Sequence, residues 1–327
     1  MPTRRRALLI LAALAGLAQL SIVLALMVGS VPVAWSDVVS TLISDGGGVS
    51  GDLVRNLRLP RALTGFACGG LLALAGALLQ VLLRNPLADP YVLGISGGAG
   101  IGALLAIVLD FAVAGVNGCA FVGALGAMLL VFGLAHGDGG WTQSRLLLTG
   151  VIIAAGCGAV VTLILAVAPD DRLRGMLFWL MGDLSQSGEP QLALILMLGA
   201  LLAALPFTRE LNVLARGTDV AQALGVDVRR LRGGVYIVAS LATAAAVTHA
   251  GAIGFIGLIV PHLVRLAAGN DQRLLLPASM LAGGSLLVIA DTLARTILAP
   301  QQLPVGVLTA LLGVPVFLFL LSRTTAR

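Results

Sequence analysis

Apolar runs of about twenty residues, each long enough to cross a bilayer as a helix, recur from one end of this chain to the other. They lie near residues 7–29, 62–83, 94–109, 115–135, 145–168, 191–206, 233–249, 252–268, 274–296 and 305–322. The pattern predicts an all-α polytopic membrane protein with about ten transmembrane helices, embedded in a lipid bilayer. Composition agrees: 58% of residues are hydrophobic, 11% are charged and the mean hydropathy is +1.04, a balance foreign to water-soluble domains of this length. The runs beginning at Gly94 and Gln191 are short, which suits broken or tilted helices. Arg4-Arg5-Arg6 ahead of the first run resembles the basic start of a signal peptide. That run exceeds the roughly 7 to 15 residues of a cleavable segment, so it is read as a retained first helix.

Positive charge here is entirely arginine, because the sequence contains no lysine. A P-loop needs a lysine to reach the β and γ phosphates, so this chain is no ATPase by itself, and a Schiff-base lysine is equally excluded. The net charge of +5 is no nucleic-acid patch, since the arginines gather at helix ends as membrane topology requires. With the N-terminus inside, alternate loops assign Arg4 to Arg6, Arg84, Arg145, Arg209, Arg216, Arg229, Arg230, Arg232, Arg265, Arg273, Arg323 and Arg327 to the inner side. The outer side receives Arg55, Arg58, Arg61, Arg172, Arg174 and Arg295, with Asp37, Asp45, Asp52, Asp170, Asp171, Asp183 and Glu189. Both termini are then cytoplasmic.

Metal and redox chemistry find little footing. His136, His249 and His262 are far apart, and Cys68, Cys119 and Cys157 show no ligand spacing. No metal site is expected, and the thiols read as small hydrophobes. Few charges fall inside the spans, which argues against an ion-coupled secondary transporter. An intramembrane enzyme would need a catalytic pair, and only Asp291 offers itself; it lies four residues from Arg295 and shares its helix face.

Residues 58–102 carry the densest information. A helix with small residues at Gly65, Gly69, Ala73 and Ala77 presents a close-packing face, then breaks at Arg84-Asn85-Pro86. Pro86 and Pro90 forbid continuation, while the side chains of Asn85 and Asp89 can serve loose backbone groups. A second small-residue line, Gly150, Ala154, Gly158 and Thr162, marks the fifth span for close packing or for lining a pathway beside a partner. In the outer loop 168–190, the stretch from Arg172 to Met181 suits a short interfacial helix anchored by Trp179. The inner loop 207–232 is the longest soluble segment; from Asp219 to Arg230 it reads as two short helices, with Gly225 ending the first and Asp227 capping the second.

Three ordered blocks resemble the membrane permease subunits of ABC importers for vitamin B12, haem and iron siderophores. They are Arg58-Leu59-Pro60-Arg61 with Asn85-Pro86-Leu87-Ala88-Asp89-Pro90 and Gly94 to Gly100, then Gly251 to Arg265, then Leu303 to Ala310. The resemblance spans nearly the whole chain and implies one permease domain over residues 1–327, with ten helices and no catalytic residue or resident cofactor. It implies a second copy of the chain, two cytoplasmic ATPase subunits and a periplasmic binding protein as partners, all at a bacterial inner membrane. The 207–232 loop would couple to the ATPase through Asp219, Val220, Ala221, Leu224, Gly225 and Val226. Arg58, Arg61 and Arg295 would face outward to take carboxylates of the binding protein, and Asn85, Leu87, Gln143 and Ser144 would form a cytoplasmic gate. The expected cargo is a bulky metal chelate, haem or an iron siderophore first, with cobalamin as the alternative.

Overall fold

The computed structural model describes residues 4–43, 48–135, 142–185 and 189–324. Asp45, His136 and Arg327, considered above, lie outside the described residues. Among those described, ten apolar helices follow one another: α1 (Arg4–Met27), α2 (Leu59–Leu82), α3 (Ile95–Val108), α4 (Val113–Ala135), α5 (Gln143–Val167), α6 (Gln191–Ala204), α7 (Val228–Ala250), α8 (Ile256–Ala268), α9 (Gln272–Thr296) and α10 (Val305–Thr324). Seven helical stretches are long and apolar enough to cross a membrane. Those of α3, α8 and α10 are not: the 14 and 13 residues of α3 and α8 reach only about 20 Å, against a hydrocarbon core of about 30 Å.

The bundle is built around α2, whose residues from Thr64 through to Leu82 are all buried. It is enclosed by α9, α7, α8, α6 and α1. The predicted small-residue face is what admits α9: a methyl on Gly69 would overlap the carbonyl of Gly283, and one on Gly283 would overlap Gly69. Backbones this close exchange dispersion contacts that no larger side chain permits, which is how helices associate where lipid removes the hydrophobic incentive. Likewise, a methyl on Gly76 would collide with the Gly257 carbonyl at the start of α8.

Two spans are interrupted, and the interruptions meet. After α2 the chain turns at Arg84 (φ 43°), and Asn85 Oδ1 accepts from the Leu87 N–H at 2.9 Å. Asp89 then caps a 3₁₀ turn, Pro90–Leu93, by accepting from the Tyr91 N–H at 2.7 Å. Both side-chain roles match the sequence expectation. This elbow climbs beside the middle of α2, because a methyl on Gly257 would lie 2.8 Å from Pro90 Cδ and 2.9 Å from the Leu72 carbonyl. Facing it, residues 251–255 run without helix between Gly251 (φ 68°) and Phe255 (φ 70°). The Ile253 N–H donates to the Tyr91 hydroxyl at 2.8 Å, tying the two breaks together. The expected span 252–268 is therefore corrected to a half-helix beginning at Ile256. Non-helical backbone at this depth is tolerated where protein encloses it, and Ile253 is fully buried.

Candidate functional site

Helix α7 separates two ends of the molecule by about 34 Å, given its 23 residues. At its start Asp227 accepts from the Arg230 N–H at 3.0 Å, the expected cap. Just before it stands the short helix Thr218–Ala223, closed by Gly225 at φ 81°. The second of the two short helices expected here is thus the first turns of α7, while a different short helix, Thr208–Leu214, comes before Thr218–Ala223. Val220 and Leu224 are 44% and 67% exposed, and Asp219 and Gly225 stand exposed beside them. Ala221 is fully buried and Val226 half-buried against the core, so these two hold the segment in place rather than offering it. Arg232 donates to Thr218 Oγ1 at 3.1 Å, fastening the segment to α7.

Near this end the elbow meets the start of α5. Gln143 Nε2 donates to the Leu82 carbonyl at 3.1 Å, satisfying one of the loose acceptors at the end of α2. Arg84 approaches Gln143 Oε1 at 3.5 Å. Leu87 is 39% exposed, and Ser144 is exposed at the head of a stripe on α5 that continues through Leu148, Val151, Ala155, Gly158 and Thr162. The small-residue line foreseen on α5 divides. Gly150 sits under the Val92 carbonyl of the elbow, whereas Gly158 has open space around it.

At the other end α7 closes with its Ala250 carbonyl accepting from the Asp183 N–H at 2.9 Å. The short helix foreseen here from sequence is present as Asp170–Leu180. Its Arg172 donates to the Ile107 and Val108 carbonyls at 2.7 and 2.8 Å, capping α3, and pairs with Asp110 at 3.4 Å. Beside it opens a cavity of about 900 Å³ whose lining includes Phe111, Arg174, Phe178, Trp179, His249 and Gln302. Trp179 packs on the core and lines this cavity. The Arg174 guanidinium lies over the Phe178 ring at 5.7 Å from its centroid.

Arg58, Arg61 and Arg295 are all engaged within the chain. Arg58, 4% exposed, donates to the carbonyls of Leu26 at 2.7 Å, Met27 at 3.1 Å and Val31. Arg295, 8% exposed, reaches the Ala25 carbonyl at 3.3 Å and Asp291 at 3.2 Å. Together they cap the last turn of α1, whose carbonyls have no helical donors ahead of them. Arg61 grips the same Asp291 carboxylate, at 2.8 Å to Oδ1 and 3.0 Å to Oδ2, and donates to Gln302 Oε1 at 2.9 Å. The expectation that Arg58 and Arg295 stand open toward the outside is corrected: two buried guanidiniums need internal acceptors, and the end of α1 and Asp291 supply them. Sequence reasoning found the Asp291–Arg295 pair but missed Arg61 and Gln302 as its neighbours. No local pattern links positions that far apart.

Interrupted helices around a buried central span, with a cavity at one end and an apolar-tipped soluble helix at the other, define a multi-pass transport permease. The comparisons agree. The chain belongs to the FecCD transport family, matching it over residues 17–323. It is 46% identical over 280 residues to the cobalamin import system permease protein BtuC of Halobacterium salinarum, covering 84% of this chain and 74% of that protein. It is 40% identical over 279 residues to the hemin transport system permease protein HmuU of Yersinia pestis, covering 82% of each. A solved structure of an inward-facing metal-chelate type ABC transporter matches with a TM-score of 0.83 at 30% identity, covering 97% of this chain and 99% of its own.

Proposed function

We propose that this permease subunit works as two copies around a shared pathway, with two ATPase subunits at the Leu224 end and a soluble binding protein at the Trp179 end. The Leu224 end is then cytoplasmic, in keeping with the arginine-rich loops on that side, and the membrane is a bacterial inner membrane. Hydrolysis of ATP belongs to a separate polypeptide, since this one has no lysine for a P-loop. The cargo is a bulky metal chelate of the haem, iron-siderophore or cobalamin type. One observation carries the reading: the cavity of about 900 Å³ at the Trp179 end sits at the upper end of the 300 to 1,000 Å³ usual for ligand pockets and has the mixed aromatic and polar wall such sites use. A small hydrated ion needs no such room.

The test is to purify the chain with its neighbours and measure which metal chelate the binding protein retains and whether ATP drives its uptake into vesicles. Retention of a chelate and ATP-dependent uptake support the proposal. Uptake driven by an ion gradient, with no ATPase subunit in the purified complex, would refute it.

A further inference from the structure

A second cavity, of about 780 Å³, opens at the Leu224 end between the first turns of α1, the end of α2 and the turn from α8 to α9. Its wall carries four arginines, Arg6, Arg84, Arg216 and Arg265. Among the described residues Asp271 is the only carboxylate in the lining, and its Oδ1 already accepts from Asn212 Nδ2 at 2.9 Å and from the Arg273 N–H at 3.1 Å. Neither Arg216 nor Arg265 has a carboxylate within ion-pair distance among the described residues. Arg216 and Arg265, facing one cavity, call for an anion, and the planar fork of arginine suits phosphate oxygens.

The same wall also holds two acceptors that no donor of the chain meets. Gln80 and Gln272 line the cavity and are only 3% and 1% exposed. Each amide donates, to the Leu258 carbonyl at 3.0 Å and the Asn270 carbonyl at 3.4 Å, while each Oε1 is buried without a partner. Buried acceptors are seldom left unmet. An occupant therefore brings hydrogen-bond donors as well as negative charge.

We propose that this cavity holds the headgroup of a phosphatidylglycerol-type lipid, its phosphate among the arginines and its glycerol hydroxyls donating to Gln80 and Gln272. The position favours a lipid over a soluble phosphate. Leu266 in the cavity wall is 65% exposed, and Leu9, nearly one turn along α1 from Arg6, is 62% exposed, so acyl chains would cover apolar side chains that nothing in the chain covers. Basic pockets between helices on one membrane face recognise anionic headgroups in this way. The inference rests on the membrane reading of the helices and is independent of the cargo.

The test uses the full chain, purified in detergent and stripped of lipid, with phosphatidylglycerol, phosphatidylmethanol and phosphatidylcholine of matched acyl chains and with soluble glycerol phosphate. Native mass spectrometry counts retained lipid, and thermal unfolding reports stabilisation. One phosphatidylglycerol per chain should be retained at least about tenfold better than phosphatidylcholine, and Arg216→Gln with Arg265→Gln should weaken retention about tenfold or more. Arg209→Gln, an exposed change outside the cavity wall, should leave it unchanged. Gln272→Leu should erase the preference for phosphatidylglycerol over phosphatidylmethanol, which has the charge but no hydroxyl. Equal loss with Arg209→Gln would reduce the effect to diffuse surface charge and overturn the site. Equal retention of phosphatidylmethanol by the unaltered chain would overturn the role of the glutamines, and stabilisation by glycerol phosphate matching that by the lipid would overturn the lipid assignment.

Discussion

The two ends of the bundle finish their surfaces by opposite means. At the Trp179 end, Arg58, Arg61 and Arg295 spend their hydrogen bonds on the end of α1, on Asp291 and on Gln302. At the Leu224 end, Val220 and Leu224 stand bare on a short polar helix that is itself well anchored. An apolar contact left open on a soluble segment suits a partner that stays, because its stabilisation comes from excluding water. Charged groups already satisfied suit a partner that comes and goes, since any carboxylate it brings must compete with bonds already made. The asymmetry agrees with the proposed assembly of a resident ATPase and a transient binding protein.

The most severe way to break this contrast is Asp291→Ala. It leaves the half-buried Arg61 and the buried Arg295 without their shared carboxylate, and unpairing a buried ion pair costs about 3 to 5 kcal/mol. The purified variant should lose its folded state at markedly lower temperature in detergent, and Asp291→Asn should fall between it and the parent. A melting midpoint unchanged in Asp291→Ala would mean that the arginines do not depend on this carboxylate. Arg58→Gln comes next. It removes charge-assisted bonds to the final carbonyls of α1, worth about 1.5 to 3 kcal/mol in comparable cases, and should expose the 26–31 region to proteolysis before the rest of the chain unfolds.

How far such partnerships can be read ahead of the structure depends on sequence distance. The elbow at Arg84 to Gly94 was legible because prolines and short polar side chains announce a break, and Asn85 and Asp89 take the expected roles. The matching break at 251–255 was not. It is made of glycine and apolar residues, which read as one more span, and its turn depends on Gly251 and Phe255 adopting positive φ. Gly225 and Asp227 were legible as local helix ends. Burial of Ala221, the cap on α1 and the Arg61–Gln302 bond join residues by tertiary packing alone, and no periodicity encodes them.

At the Leu224 end the contrast sharpens into a change of function without a change of stability. Leu224 is 67% exposed, so Leu224→Asp should shift the melting midpoint of the isolated chain hardly at all, within about 0.5 kcal/mol. In the complex it would bury a carboxylate in an apolar contact, which is strongly unfavourable. ATP-driven uptake should fall to background, with normal amounts of protein in the membrane. Unimpaired uptake would remove this segment from the coupling role proposed for Asp219 to Val226.

The smallest expected effect concerns whether the arginine cluster also serves the binding protein. Of the three guanidiniums, Arg61 is the one placed to do so, because its Nη1 meets Gln302 where the contact is exposed to solvent. A docking carboxylate need displace only a neutral amide there, leaving the Asp291 pair intact. Gln302→Glu tests this without disturbing the fold: it gives Arg61 an internal carboxylate at the same position, and an exposed pair of this kind adds at most about 1 kcal/mol to stability. If Arg61 receives a carboxylate of the binding protein, the new glutamate occupies its place and repels it. Association should then slow several-fold at low ionic strength, with the difference shrinking as salt rises and screening sets in. Gln302→Ala should act in the opposite sense, freeing Nη1 and leaving association as fast as in the parent or faster. Identical association rates for parent, Gln302→Glu and Gln302→Ala across a salt series would confine Arg61, with Arg58 and Arg295, to holding α1, α2 and α9 together.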